Sequence, residues 1–203
     1  NGGQSYDDPA ELSRRIIASA GETGIGLTLL PVYYSQGGVD GRALEGGQLR
    51  FGNNLDRFAG IWSGAREAIE KLGADHALGI APHSLRAVSK IDLTRLTETY
   101  PKGPIHIHIA EQVRDVDEHL NHVGARPVEW LLANAEVDAR WCLVHATHVN
   151  EAETRNMAAS RAVAGICPTT EGNLGDGIFP FVDYLAAGGR WGIGSDSHVS
   201  VSP

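Results

Sequence analysis

Cysteine occurs twice in the 203 residues, at Cys142 and Cys167, and methionine once, at Met157. Two cysteines cannot build a disulfide framework, and their scarcity points to a reducing compartment, so the expected location is cytoplasmic. Basic charge is also short: 17 Lys and Arg stand against 25 Asp and Glu, a net charge of −8. No basic stretch stands out, which argues against nucleic acid and anionic membrane as partners. Long apolar runs are missing. Residues 25–34 form one of the longest, far short of the ~20 needed to span a bilayer. No secretory signal opens the chain, which begins with a polar loop. There is no G-x-G-x-x-G after a strand and no P-loop. The chain has no initiator Met and stops abruptly at Ser202 and Pro203, so it reads as a piece of a longer protein.

What is present is ordinary for a globular protein: 42% hydrophobic and 21% charged residues. The length suits about one domain, with roughly 70% of the unfolded surface buried on folding. Segments of helical period alternate with apolar runs of strand length. Residues 9–21 place Leu12, Ile16, Ile17 and Ala20 on one helix face, with Asp7 or Asp8 as a cap and Pro9 in the first turn. Residues 25–34 read as a buried strand, 35–53 as a long polar loop, 54–72 as a helix ended by Gly73, 77–82 as a short strand and 91–100 as a helix. Strict alternation marks 105–110 as a strand. Helices follow at 113–121 and 127–134, a strand at 141–145, and a helix at 151–160 capped by Asn150. The remainder reads as a strand at 162–167, a loop to Gly177, a helix near 180–187 and a last strand at 191–194.

Six mostly apolar strands separated by helices predict an α/β fold with parallel strands covered by helices. The polar residues choose between a doubly wound sheet and a barrel. His83, His108, His145, Thr169 and Asp196 each lie at or just past the C-terminal end of a different strand. A (β/α)8 barrel gathers its functional groups from that end of all its strands, whereas an open sheet concentrates them at one switch point.

Four clusters carry candidate chemistry. His106 and His108 share one strand face, and Glu111 follows where the chain turns. Neutral imidazoles ligate transition metals and a nearby carboxylate can shuttle protons, although alternating histidines also line polar barrel interiors. His145 ends the next strand, in register for a pocket, with His148 three residues on as a surface-loop histidine. Asp196 directly follows an apolar strand. Burying it alone is costly, so it pairs with a metal or a histidine, or else caps the next helix. His83 and Arg86 follow the 77–82 strand. The planar fork of Arg86 suits a substrate carboxylate, the alternative being a surface arginine on the next helix. Cys167 has no base beside it in sequence and is not read as a nucleophile.

In this order the clusters resemble the deaminase branch of the amidohydrolase superfamily, with His-x-x-Glu after strand five, His after strand six and Asp after strand eight: here His108 with Glu111, His145 and Asp196. His-Ile-Ala-Glu-Gln, Val-His-Ala-Thr-His, Cys-Pro-Thr-Thr-Glu-Gly-Asn-Leu-Gly-Asp-Gly, Gly-Ser-Asp-Ser-His and Ala-Pro-His-Ser-Leu-Arg together are similar to the formimidoylglutamate deiminase family. The resemblance covers essentially the whole chain. It implies a partial (β/α)8 barrel, strands three to eight, without the first two strands and the small β-sandwich built from both termini. It also implies one divalent metal, usually zinc, with His108 and Asp196 as ligands. Catalysis would fall to Glu111, His145 and Asp196, and substrate binding to His83 and Arg86. The implied reaction converts N-formimino-L-glutamate and water to N-formyl-L-glutamate and ammonia in histidine degradation. The implied partner is that small molecule, with a homodimer as the assembly expected. The family's strand-one His-x-His pair has no counterpart before residue 106, so the 203 residues alone are expected to bind zinc weakly and turn over little. The alternatives are a related deaminase acting on a nucleobase or other heterocycle, and a non-catalytic fragment.

Overall fold

The computed structural model describes residues 6–196. Residues 1–5 of the opening polar loop lie outside them, as do Ser197 and His198 of the Gly-Ser-Asp-Ser-His motif. Two compact units divide the chain, one of residues 1–83 and 87–105, the other of 84–86 and 106–203.

In the first unit, helix α1 (Glu11–Thr23) is followed by strands β1 (Leu27–Leu29) and β2 (Val32–Tyr33), helix α2 (Leu55–Ile69), strands β3 (His76–Leu78) and β4 (Ala81–Pro82), and helix α3 (Lys90–Thr99). β1 pairs with β3 and β2 with β4, both parallel. The two sequence-level strands at 25–34 and 77–82 are thus each broken into two short pieces. In the first, Pro31 separates the pieces and removes a backbone donor. The 35–53 segment is a loop holding one 3-10 turn, Gly46–Arg50. α2 starts one residue later than expected, at Leu55 with Asn54 as its cap, and ends at Ile69.

The α1 face differs from the expected one. Ile17 and Ala20 are buried, but Leu12 and Ile16 are exposed. The inward stripe instead runs through Ala10, Ile17 and Ala20, because α1 approaches α2 closely at small residues. A Cβ on Gly64 would lie 2.5 Å from that of Ala10. Ile17, Leu29, Ala65 and Ile69 form a core packed by Leu27, Ala68, Leu72 and Leu78. Near β3, a Cβ on Gly79 would run into the backbone carbonyl of Pro104. Gly79→Ala is therefore expected to cost about 1–3 kcal/mol through overpacking. A urea midpoint that does not move would show the backbone can re-space there.

The second unit holds all but the first residue of strand β5 (Ile105–Ile109), helices α4 (Val113–Val123) and α5 (Pro127–Asn134), strand β6 (Trp141–His145), helix α6 (Glu151–Ala159), strand β7 (Val163–Ile166), helices α7 (Pro168–Leu174) and α8 (Phe181–Ala186), and strand β8 (Arg190–Ile193). The strands form one sheet in the order β5-β6-β7-β8, with β6–β7 and β7–β8 parallel. α5 and β6 have the bounds read from sequence, and Asn150 caps α6 by accepting the Glu153 N–H. The segment after Cys167, expected as a loop, is α7. Pro168 opens it, where a missing N–H costs nothing, and Gly175 closes it in the left-handed conformation. Among the described residues no helix is long and apolar enough to cross a membrane.

Candidate functional site

The second unit's site lies at the C-terminal ends of its strands. In β5, Ile105, Ile107 and Ile109 are buried while His106 and His108 occupy the opposite, half-buried face. β6 alternates in the same way, and by parity His145 belongs with buried Trp141 and Leu143. Its φ of +66° ends the extended run, and Ala146 continues at +48°. Ala110 after β5 and Asp196 after β8 are also left-handed, at +49° and +63°. Left-handed backbone at non-glycine residues is costly, and it clusters where structure is held for function.

The His145 ring lies 5.7 Å from that of His108, centroid to centroid. Ligand atoms of His108, His145 and Asp196 lie within 4.8 Å of one another. Glu111 Oε1 stands 3.6 Å from His145 Nε2, and Glu171 Oε1 stands 3.3 Å from His145 Nδ1. Burial raises the Glu111 carboxyl above its usual range; His145 opposes the shift, and Asp176, Asp115 and Asp196 add to it. Burial, with a smaller contribution from His108, lowers the imidazole of His106. Cys142 and Cys167 are both free. Burial pushes Cys142 up to about 11 and Cys167 up to about 12, so both stay thiols at neutral pH.

The structure thus brings together four residues singled out from sequence, Glu111, His108, His145 and Asp196. Arg86 lies in the same unit. Its Nη1 donates to Asp115 Oδ1 at 2.7 Å. Asp115 Oδ2 in turn accepts the Gln112 backbone N–H at the start of α4. Arg86 is therefore anchored on a helix start rather than loose on the surface. His83 lies in the first unit, its ring 4.7 Å from that of Tyr34. His148, read from sequence as a surface-loop histidine, is tied down instead. Its backbone N–H donates to the Ala110 carbonyl, and its Nε2 lies 2.6 Å from the Asp176 carbonyl oxygen.

Three residues of this neighbourhood escaped sequence reasoning: Glu171, Gln112 and Asp176. Gln112 Nε2 donates to Asp176 Oδ1 at 2.8 Å, joining the turn after β5 to the segment after α7. Treating 167–177 as a loop hid Glu171. The signal was Pro168 directly after the strand, which opens a helix and puts Glu171 in its first turn.

The donor set of His108, His145 and Asp196 fits a divalent transition metal such as zinc: two imidazoles and a carboxylate, converging where a ligand can approach. The fold and the site define the class: this is the amidohydrolase fold, part of a (β/α)8 barrel with its polar groups at the strand ends. No protein-family model matches the chain. The chain is 53% identical to formimidoylglutamate deiminase of Pseudomonas aeruginosa over 201 residues, 98% of this chain but 44% of that protein. It thus spans less than half the length of that relative. A crystal structure of an amidohydrolase from Brucella melitensis superposes with a TM-score of 0.92 at 49% identity, covering 96% of this chain and 43% of the other. An adenosine deaminase from Xanthomonas campestris with bound zinc shares the fold at 20% identity and a TM-score of 0.77, covering 93% of this chain and 40% of the other.

Proposed function

We propose that the whole protein is a metal-dependent hydrolase that converts N-formimino-L-glutamate and water to N-formyl-L-glutamate and ammonia, a step of histidine degradation in the cytoplasm. The observation that carries this reading is the convergence of His108, His145 and Asp196 within 4.8 Å, with Glu111 beside His145. The 53% identity to a formimidoylglutamate deiminase supports the substrate. The two cysteines, both free, agree with a reducing compartment.

His108 and Asp196 would hold the ion, and His145 lies within reach of the same position. The resemblance places two further ligands on a strand with no counterpart in these 203 residues. A bound divalent ion supplies Lewis acidity that makes water nucleophilic at neutral pH. Asp196 accepts a proton as water attacks the formimino carbon. His145 stabilises the tetrahedral centre as it forms. Glu111, whose raised pKa suits a group that gives up a proton, delivers one to the departing nitrogen; Asp196 passes on the one taken from water, and the tetrahedral hydroxyl returns its proton to Glu111 as the C–N bond breaks, so the nitrogen leaves as ammonia. Arg86 clamps a substrate carboxylate. One of its five N–H donors is held by Asp115, which orients the fork, and the planar geometry serves two parallel bonds to the carboxylate.

Ammonia release from N-formimino-L-glutamate by the metal-loaded whole protein tests the activity; a loaded protein that releases none refutes it. Arg86→Lys tests the substrate assignment. Lys cannot reproduce the fork, so the variant should raise KM for N-formimino-L-glutamate and leave kcat nearly unchanged. An analogue lacking the clamped carboxylate should be indifferent to the change. Equal handling of both substrates by parent and variant would remove Arg86 from the site.

A further inference from the structure

Glu171 has no part in the chemistry above, yet it is one of the most buried carboxylates in the second unit, 5% exposed. Its Oε1 accepts the backbone N–H of Cys167 at 2.9 Å and lies 3.3 Å from His145 Nδ1. The first contact caps the start of α7. The like contact in α6, Glu153 accepting the N–H of the cap residue Asn150, also uses a buried carboxylate, but there Arg126 supplies a counter-charge, and no arginine or lysine pairs with Glu171 among the described ion pairs. Taking a carboxylate out of water costs several kcal/mol unless charge and hydrogen bonds offset it. The imidazole is the partner that makes its position intelligible.

We propose that Glu171 is the positioning residue for His145. Its carboxylate accepts the Nδ1 proton of His145, which fixes the tautomer and the ring plane. Nε2 is then the ring atom that faces Glu111, at 3.6 Å, on the side of the chemistry. The left-handed backbone at His145 and Ala146 turns the ring out of the strand, and Glu171 fixes it from behind. The arrangement has the logic of any histidine whose second nitrogen is held by a carboxylate: orientation is set on one side and chemistry happens on the other. The consequence for turnover rests on the hydrolase reading above; the hydrogen bond itself does not.

The test uses the whole protein labelled with 15N-histidine, metal-free and without substrate, followed by NMR at mildly alkaline pH. In the parent, His145 is expected as a single tautomer with its proton on Nδ1. Glu171→Leu should populate the other tautomer. With metal and N-formimino-L-glutamate, it should lower kcat about 10–100-fold at little-changed KM. Glu171→Gln keeps an acceptor oxygen and should restore the tautomer, with the Nδ1 proton resonance moved upfield because the acceptor has lost its charge. A folded Glu171→Leu protein whose His145 keeps the parent tautomer would reduce Glu171 to a helix cap. If that variant does not fold, an unmoved Nδ1 resonance in Glu171→Gln overturns the proposal equally. Loss of the deiminase reading looks different: no ammonia is released, while the tautomer remains locked on Glu171.

Discussion

Glu111→Gln in the whole protein is expected to lower ammonia release about 10²–10⁴-fold, the usual weight of general acid–base catalysis, with bound metal unchanged. The amide is nearly the size of the carboxyl but has no proton to deliver to the leaving nitrogen. Metal retention follows because Glu111 is outside the convergent His108, His145 and Asp196 set and stands beside His145 instead. Turnover and metal content must be measured on the same preparation. Normal turnover would remove the proton shuttle from Glu111, and loss of metal would make Glu111 a ligand.

Arg126→Leu is expected to destabilise the fold by about 3 kcal/mol, the low end of the range for breaking a buried ion pair. Glu153 is 3% exposed, and its Oε2 accepts from Arg126 Nε at 2.7 Å. Removing the guanidinium leaves the carboxylate buried without a counter-charge. The low end applies because the backbone N–H groups of Glu129 and Asn150 still donate to it. Arg126 Nη2 also donates to the His148 carbonyl, three residues beyond His145, so the loss reaches the segment that follows β6. Urea unfolding of parent and variant measures the difference. A shift within about 0.5 kcal/mol, as for an ordinary surface substitution, would show that the two backbone donors satisfy Glu153 alone.

Much of the second unit was legible from residue order. The alternation of β5 and the Asn150 and Pro127 start signals are local, and local signals survive folding. His108, His145 and Asp196 were legible because each follows its own apolar strand, where parallel strands bring polar groups to one end. The positions of Leu12 and Ile16 were not, since helical period defines stripes but not which stripe meets a neighbour. That was decided by the close approach at Ala10 and Gly64. Glu171 was hidden for a related reason. Its role depends on two partners, one four residues away and one 26 residues away, and only the nearer is a matter of sequence spacing.

The left-handed backbone at Ala110, His145, Ala146 and Asp196 bears on how this protein can be improved. Each such residue stores about 1–2 kcal/mol that a glycine would release. Selection for heat resistance alone would therefore drift toward glycine at Ala110 and Ala146, which have no functional side chain to lose. The same exchange would loosen the turns that aim His145 and anchor His148. Thermostability and catalytic precision thus compete at the same few peptide units. Gains in robustness are better sought at exposed positions such as Leu12 and Ile16, far from this trade-off in the chain.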